Sequence, residues 1–314
     1  MVRMIIKRLL LIIPILFLVS LITFGLISLT PGDPAVTVAG ETATPQQLAL
    51  VRHQLGLDKP LVDQYVTFLG DASRLDFGNS IGTQQPVSDR IADTLPVTAS
   101  LVLLTMVMAV LISVPAGVIA ALYKQRLPDR LVAFGASFAL AIPSFIIALA
   151  LIVPFTLNRS WFPATGYVKL QDNAWEWFHH LVLPAFALSL VSASELTRQI
   201  RGALVDVMEQ DFIRAGRAKG LPEWIVLTKH AFRNAAVPVV TVFGLQLARI
   251  LGGAVIVESI FAIPGFGSAA VTAVIAHDYP MIRAIVLISA VVVVIVNLLV
   301  DVANGFINPK LRAA

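Results

Sequence analysis

Apolar residues in this chain gather into long uncharged runs, and six of these can be placed at roughly 9–29, 97–122, 131–156, 181–197, 235–257 and 284–305. A helix of about 20 residues crosses a hydrocarbon core of about 30 Å, so the pattern predicts six membrane-spanning segments. In that solvent every backbone polar group must be satisfied within the chain, which favours helices and makes a barrel implausible. The first run follows Arg3, Lys7 and Arg8, as a signal peptide would, but its apolar stretch is about 21 residues and no small-residue cleavage site closes it. It is read as an uncleaved span. Pro14, Pro115, Pro143, Pro154 and Pro184 lie inside or near the runs, where each removes a helix hydrogen bond and can kink its helix.

Composition agrees: 57% of the 314 residues are hydrophobic and only 13% are charged, against about 25% charged in an ordinary soluble protein. With no cysteine, the chain supplies no disulfide, zinc-thiolate site, iron–sulfur ligand or cysteine nucleophile. The net charge of +4 is explained by topology and needs no nucleic-acid partner. If the N-terminus is cytoplasmic, fifteen Lys and Arg fall on the inner side and six on the outer, with Arg249 and Arg283 in or at the edge of spans. That bias obeys the positive-inside rule, and six spans then place both termini in the cytoplasm.

The segment 31–96 is rich in Pro, Gly, Asp and Gln and is too polar to insert. It is expected to form a small extracytoplasmic helical cap. Thr44, Pro45 and Gln47 form an N-terminal capping signal and Gly56 a stop. Pro60 opens a second helical pattern with Tyr65, Phe68 and Leu69, and Asp76-Phe77-Gly78-Asn79-Ser80 reads as a turn. A core this small should pack on the membrane helices or on a partner.

The loop 198–235 carries seven of the fifteen inner charges. Asp211 through Lys219 favour a short amphipathic helix, with Phe212, Ile213, Ala215 and Gly216 on one side and Arg214 and Arg217 on the other. Gly220 can end it in the left-handed conformation, and Pro222 can occupy the first turn of the next helix. Small residues at such a tip allow close approach, which suits insertion into a groove of another protein. A loop held inside by charge and skimming anionic lipid is the alternative.

Arg249 and Glu258 lie nine residues apart at or within the fifth span, about 13.5 Å along a straight helix and too far to pair. Ionisable groups at that depth face a bundle interior or a watery cavity, so a pathway or gate role is the default. Glu195 and Asp301 sit near cytoplasmic ends of spans, where a solvated or interfacial position is expected. Gln246 and Asn297 are expected to hydrogen-bond across helices. His179-His180 follow Trp175, Glu176, Trp177 and Phe178, an aromatic interfacial anchor more than a metal site.

The order of these pieces resembles the permease subunits of bacterial peptide importers of the ABC class, over nearly the whole chain. The resemblance rests on Lys7-Arg8-Leu9-Leu10, Pro31-Gly32-Asp33-Pro34, Leu55-Gly56-Leu57-Asp58-Lys59-Pro60-Leu61, Gln64-Tyr65, Asp76 to Ser80 and Leu95-Pro96-Val97-Thr98. It continues through Asp211 to Pro222, His230-Ala231-Phe232-Arg233-Asn234-Ala235, Glu258 to Gly267 and His277-Asp278-Tyr279-Pro280. The early Pro-Gly-Asp-Pro and the long outer segment are similar to the B-type permease of the pair. Arg214-Ala215-Gly216 stands where the wider superfamily often has Glu-Ala-Ala, and Asp301 to Asn304 and Asn308-Pro309-Lys310 also depart from close relatives.

The resemblance implies an all-α membrane protein with the type I ABC importer permease fold: residues 1–30 as N-terminus and first span, 31–96 as outer segment, and 97–314 as permease core. It implies a bacterial inner-membrane location and four kinds of partner: the lipid bilayer, a homologous second permease, two cytoplasmic ATPases that bind ATP and Mg, and an extracytoplasmic binding protein. Asp211, Arg214, Ala215, Gly216, Arg217, Ala218, Lys219, Gly220, Leu221 and Pro222 would be the ATPase-coupling segment. Arg249, Glu258, Phe261, Pro264 and Gly265 would belong to the pathway or its outer gate. No G-x-x-x-x-G-K-[ST] phosphate loop occurs, so the chain is read as a transport subunit without its own ATPase site or cofactor. Dipeptides, longer peptides, glutathione, nickel chelates and haem are all cargoes consistent with the resemblance. An ion-gradient-driven carrier would show inverted repeats and broken spans, neither clear here, and a membrane hydrolase would concentrate His, Asp or Glu in the spans.

Overall fold

The computed structural model describes residues 2–29, 34–40, 42–54 and 56–307. Pro31-Gly32-Asp33, Leu55 and Asn308-Pro309-Lys310 lie outside the described residues. Among the described residues every regular element is helical, save one isolated bridge between Asn79 and Pro86. The first four helices are α1 (Val2–Leu29), α2 (Pro34–Ala39), α3 (Pro45–Gln54) and α4 (Leu61–Ala72). Next come α5 (Val87–Leu122), α6 (Leu127–Ala141), α7 (Ser144–Ile152, continued by a π turn Val153–Leu157) and α8 (Ala174–Met208). They are followed by α9 (Asp211–Ala218), α10 (Glu223–Ile225, continued by a π segment Val226–Ala231), α11 (Phe232–Ile260), α12 (Phe266–Ile275) and α13 (Tyr279–Ile307).

Among the described residues four continuous helices are long and apolar enough to cross a membrane: Val87–Leu122, Ala174–Met208, Glu223–Ile260 and Tyr279–Ile307. The 131–156 run is instead a bent pair, α6 and α7, which meet at 94°. No clear break is legible in that run from sequence, and the cause is Pro143. The residue before a proline is pushed out of the helical region, and Ile142 is extended with φ −102° and ψ 122°. The helix therefore ends at Ala141 and restarts after Pro143. Within α1, residues Leu10–Leu26 form a shorter apolar helix.

The chain divides into two compact units, one of Met1–Ile5, Val97–Pro264 and Ile295–Ala314, the other of Ile6–Pro96 and Gly265–Val294. In the first, α8 is the hub. Asn173 caps it, its Oδ1 accepting from the N–H groups of Trp175 and Glu176 at 3.0 and 3.2 Å. Leu181, Leu188 and Leu196 of α8 are buried with Leu101, Ile250, Val257 and Phe261. Lower on the same helix Ile200, Leu204 and Val207 join Ile213 and Val226 in a second cluster. Of the apolar window of α8, 67% is buried inside the chain, against 6% for α13. The apolar surface of α13 therefore needs lipid or another protein to cover it.

The second unit has a core of Val87, Ile91, Phe266, Ala269, Ala273, Met281, Ala284 and Ile285. Among the described residues of the 31–96 segment, α3 and α4 take the predicted local forms. The backbone N–H of Thr44 donates to Gln47 Oε1 at 2.8 Å and that of Gln47 to Thr44 Oγ1 at 3.4 Å, a reciprocal cap on α3. Pro60 precedes the first residue of α4, and α4 packs on α1: Tyr65 bonds Ser20 at 2.8 Å and Phe68 lies 6.3 Å from Phe24.

A close approach in the first unit gives a stability prediction. A Cβ on Gly244 of α11 would fall 2.2 Å from Val300 Cγ2, a stiff β-branched group, whereas one on Gly252 would meet nothing within 4 Å. Gly244→Ala is expected to destabilise by about 1–3 kcal/mol through overpacking, while Gly252→Ala is neutral or slightly stabilising. Thermal unfolding of both variants in detergent checks this, and an unchanged midpoint for Gly244→Ala would contradict the contact.

Candidate functional site

The loop after α8 is built as a braced bend. Glu209 follows the last turn of α8 and receives a hydrogen bond from Lys124 Nζ, from the turn after α5, which holds the Glu209 carboxyl below the usual carboxylate range. Gln210 is extended, and α9 then starts with Asp211 in its first turn and Arg217 in its last, as the helix dipole prefers. Arg214 donates to the Glu209 carbonyl at 2.9 Å and pairs with Asp211 at 3.3 Å. Ile213 is 1% exposed, seated in the cluster at the lower end of α8, and burial of such a side chain is worth about 1.5–3 kcal/mol. It plugs α9 to the spans.

The end of α9 is a Schellman motif. The N–H of Leu221 donates to the Gly216 carbonyl at 3.2 Å and that of Gly220 to the Arg217 carbonyl at 2.9 Å, with Gly220 at φ +78°. Leu221 Cδ1 lies 3.4 Å from where a Cβ on Gly216 would stand, the apolar contact that accompanies the motif. Arg217 then clamps Glu223 across the bend, Nε to Oε2 at 3.1 Å and Nη2 to Oε1 at 2.5 Å. Pro222 stands immediately before α10 and not inside its first turn, one residue from the sequence expectation. The expected single apolar face also divides: Ile213 points inward, while Phe212 is 42% exposed. Together with Leu221 at 36% and Trp224 at 68%, Phe212 leaves apolar surface in a charged loop, beside exposed Ala215, Ala218 and Lys219.

Buried polar groups in the first unit bind helices to one another. Glu258 is 0% exposed and its Oε1 accepts from Thr98 Oγ1, which joins α11 to α5. Arg249 does not reach Glu258. It donates to both oxygens of Glu195 on α8 at 2.7 and 2.6 Å, and buried Gln246 donates to the same carboxylate. Glu195 is thus an interhelical acceptor rather than a solvated end group, and Gln246 makes the cross-helix bond its position predicted. Phe261 is buried, its carbonyl accepting from the N–H of Gly166 at 2.9 Å. Pro264 is exposed, and Gly265, extended and buried in the second unit, precedes α12.

Two arrangements escaped the sequence reading. Asp129, at the start of α6 and 4% exposed, is gripped by Arg201 of α8, Nε to Oδ1 at 2.5 Å and Nη2 to Oδ2 at 2.7 Å, and also accepts from the N–H of Gln125 at 2.8 Å. Arg201 counted there only as an inner charge. In the second unit Asp278 accepts from Ser80 Oγ and from the N–H groups of Ile81 at 3.1 Å and Met281 at 3.3 Å. Two motifs seen separately, Asp76 to Ser80 and His277 to Pro280, are one assembly. His179 stacks on Trp175 with centroids 5.8 Å apart and bonds the Trp161 carbonyl at 2.6 Å, and His180 bonds the Glu176 carbonyl at 2.8 Å. Among the described residues no three His, Cys, Asp or Glu side chains group as metal ligands.

An α-helical chain with a braced loop between two of its membrane-length helices has counterparts. Residues 113–313 match the binding-protein-dependent transport system inner membrane component, and residues 1–102 match the N-terminal part of such membrane components. The chain belongs to this family. Such an inner membrane component is the permease of a binding-protein-dependent, ABC-type import system. The glutathione transport system permease protein GsiC of Escherichia coli is 40% identical over 312 residues, 99% of each chain. A peptide transport system permease protein of Brucella abortus is 39% identical over 312 residues, again 99% of each. In fold, the inner membrane component is similar to a chain of the inward-facing MetNI methionine ABC transporter, with a TM-score of 0.57 at 15% identity, covering 70% of this chain and 96% of that one. A chain of an amino acid ABC transporter crystallised with histidines gives 0.50 at 14% identity, covering 69% and 94%.

Proposed function

We propose that this permease forms half of the translocation pathway of an ATP-driven importer for peptide-class cargo, glutathione included, and transmits ATPase motion through α9. The reading has six spans: α1, α5, the bent α6–α7 pair, α8, α10–α11 and α13. Both termini are cytoplasmic and residues 31–96 extracytoplasmic, with a homologous permease, two ATPases and a binding protein as partners. The support for six spans is the four long helices, one bent pair and the apolar stretch of α1. The support for peptide-class cargo is that relatives matched along 99% of the chain are named as peptide and glutathione transport permeases.

The observation that carries the reading is the rigid bend itself. α9 is joined to α8 by the buried Ile213 and to α10 by the Arg217–Glu223 clamp, so displacement of the exposed tip moves two spans rather than being absorbed by the loop. The chain has no cysteine, so Ala215→Cys introduces a unique label. In intact cells this cysteine is expected to crosslink to the system's ATPase and to resist reagents that cannot cross the membrane. Labelling from outside, or failure to capture the ATPase, would refute the arrangement. Affinity of the cognate binding protein for dipeptides against glutathione tests the cargo.

We also place Glu258 and Phe261 in the outer gate, with Arg249 in the pathway and Pro264 and Gly265 in the loop that follows. Glu258→Gln replaces the carboxyl that accepts from Thr98 Oγ1 by an amide in a fully buried site, a loss of about 1 kcal/mol. Uptake is expected to fall about fivefold in reconstituted transporter. Undiminished uptake with an unaltered cargo range would remove Glu258 from the gate.

A further inference from the structure

The second unit contains a cavity of about 230 Å³ that none of the roles above uses, lined among others by Lys59, Phe68, Asp71, Asp76, Phe77 and Arg283. It is far larger than the ~10–15 Å³ that admits one water, so it suits a polyatomic group. Its dominant feature is Arg283, in the second turn of α13. The guanidinium carbon stands 4.6 Å from the ring centroid of Phe24 and 5.8 Å from that of Phe68. Its Nε is buried and has no hydrogen-bond partner, and Arg283 makes no ion pair among the described residues, although Asp71 and Asp76 line the same cavity. Two aromatic faces offset part of the cost of removing the guanidinium from water, but the buried Nε–H still lacks an acceptor, and an anion would supply one. Because the fork matches phosphate and carboxylate in the plane of the group, an oxyanion in the cavity satisfies it.

The lining is balanced, two cationic side chains against two carboxylates. Asp76 Oδ1 is engaged by the N–H of Gly78 at 2.9 Å, while among the described residues no hydrogen bond or ion pair is found for the Asp71 carboxylate, which lines the same cavity. Such a surface complements a zwitterion better than a simple anion. The surroundings select the source. Arg283 stands one residue before the apolar run 284–305, hence at the boundary between headgroups and hydrocarbon if α13 spans the bilayer, with Phe24 on the hydrocarbon side of it. On α1, Leu18, Leu21, Ile22 and Leu26 are exposed by 55, 43, 51 and 62%, and α4 exposes Leu61, Val62 and Val66. These apolar surfaces suit acyl chains.

We propose that the cavity holds the headgroup of a zwitterionic aminophospholipid, its phosphate on Arg283 and its ammonium toward Asp71. The inference rests on the six-span reading for membrane depth but not on the coupling role of α9. The shared chemistry is phosphoethanolamine, which can arrive as lipid or as the free headgroup, and the occupant chosen is the lipid.

The test uses the complete transporter complex in nanodiscs of palmitoyl-oleoyl phosphatidylcholine, with palmitoyl-oleoyl phosphatidylethanolamine or phosphatidylglycerol added. Retained lipid is counted by native mass spectrometry after release into mild detergent. One phosphatidylethanolamine per permease is expected, with retention reduced about tenfold in Arg283→Gln and partly kept in Arg283→Lys. In Asp71→Asn the preference for phosphatidylethanolamine over phosphatidylglycerol is expected to vanish. Equal retention by wild type and Arg283→Gln would overturn the proposal, as would displacement of the lipid by millimolar glycerophosphoethanolamine, which would identify a site for the soluble headgroup. Should Arg283→Gln fail to assemble, a photoactivatable phosphatidylethanolamine on the wild type decides: adducts on α4 or the first turns of α13 support the site, and adducts only elsewhere refute it. Normal coupling in the α9 variants with lipid retention intact would mean that the functional reading alone has failed, and lost coupling with equal retention by wild type and Arg283→Gln that this one alone has.

Discussion

Ala215→Arg is expected to abolish cargo-dependent ATP hydrolysis and to lower uptake about tenfold or more while the protein inserts and assembles normally. Ala215 is exposed on α9, away from the buried Ile213, so a larger residue there costs the fold little. A groove shaped for a methyl group would instead meet a long charged side chain, and a docking loss of about 1.4 kcal/mol already gives a factor of ten. Gly220→Pro reaches the same end through the backbone. The φ of +78° at Gly220 is inaccessible to proline, which is held near −65°, and proline also removes the N–H that bonds the Arg217 carbonyl. The bend would open and the exposed tip would lose its fixed relation to α10. ATPase assays and uptake in reconstituted vesicles, run on both variants, provide the check. Normal coupled transport by both would exclude α9 as the transmitting element.

Asp129→Ala should be the most destabilising single change in the first unit outside its apolar core. The carboxylate, 6% exposed, accepts the forked donors of Arg201 and the N–H of Gln125. Its removal strands a guanidinium on the flank of α8. Breaking a fully buried pair costs about 3–5 kcal/mol, and because the Arg201 side chain is 33% exposed the expected loss is nearer about 2–3 kcal/mol. Asp129→Ala, Arg201→Met and the double variant form a thermodynamic cycle. The double variant is expected to be more stable than Asp129→Ala, since it leaves no unpaired charge. Thermal midpoints in detergent that add independently would show that the two residues do not interact. Because Arg201 lies on α8, which leads into α9, the single variant should also weaken coupling, with slowed uptake at normal expression at low temperature.

Local signals were readable where the physics is local. The reciprocal cap of Thr44 and Gln47, the stop at Gly56, the helix opening after Pro60 and the left-handed Gly220 each follow from residues within a turn of one another. The break at Pro143 was present as a proline, but only the backbone shows it to be a 94° bend rather than a mild kink. Long-range pairings were silent. Arg201 and Asp129 are 72 residues apart and Asp278 and Ser80 198 apart, so nothing in their neighbourhoods announces a partner. Glu195 was legible as an acid near a span end, yet its two donors come from another helix. Phe212 and Ile213, adjacent and both apolar, have opposite fates because only one points at the cluster beneath α8.

By itself, the amino-acid order determined that the chain lives in a bilayer as helices, because apolar runs without charge have no other low-energy solvent and backbone groups there no other partners. It also determined the bend after α9, which a single glycine conformation requires. Tertiary structure decided which polar groups became partners, since burying a charge is affordable only where helix packing brings an opposite one within hydrogen-bond reach. That is why Arg249 answers Glu195 and not the glutamate nine residues along its own helix, and why Arg283 is left facing a cavity.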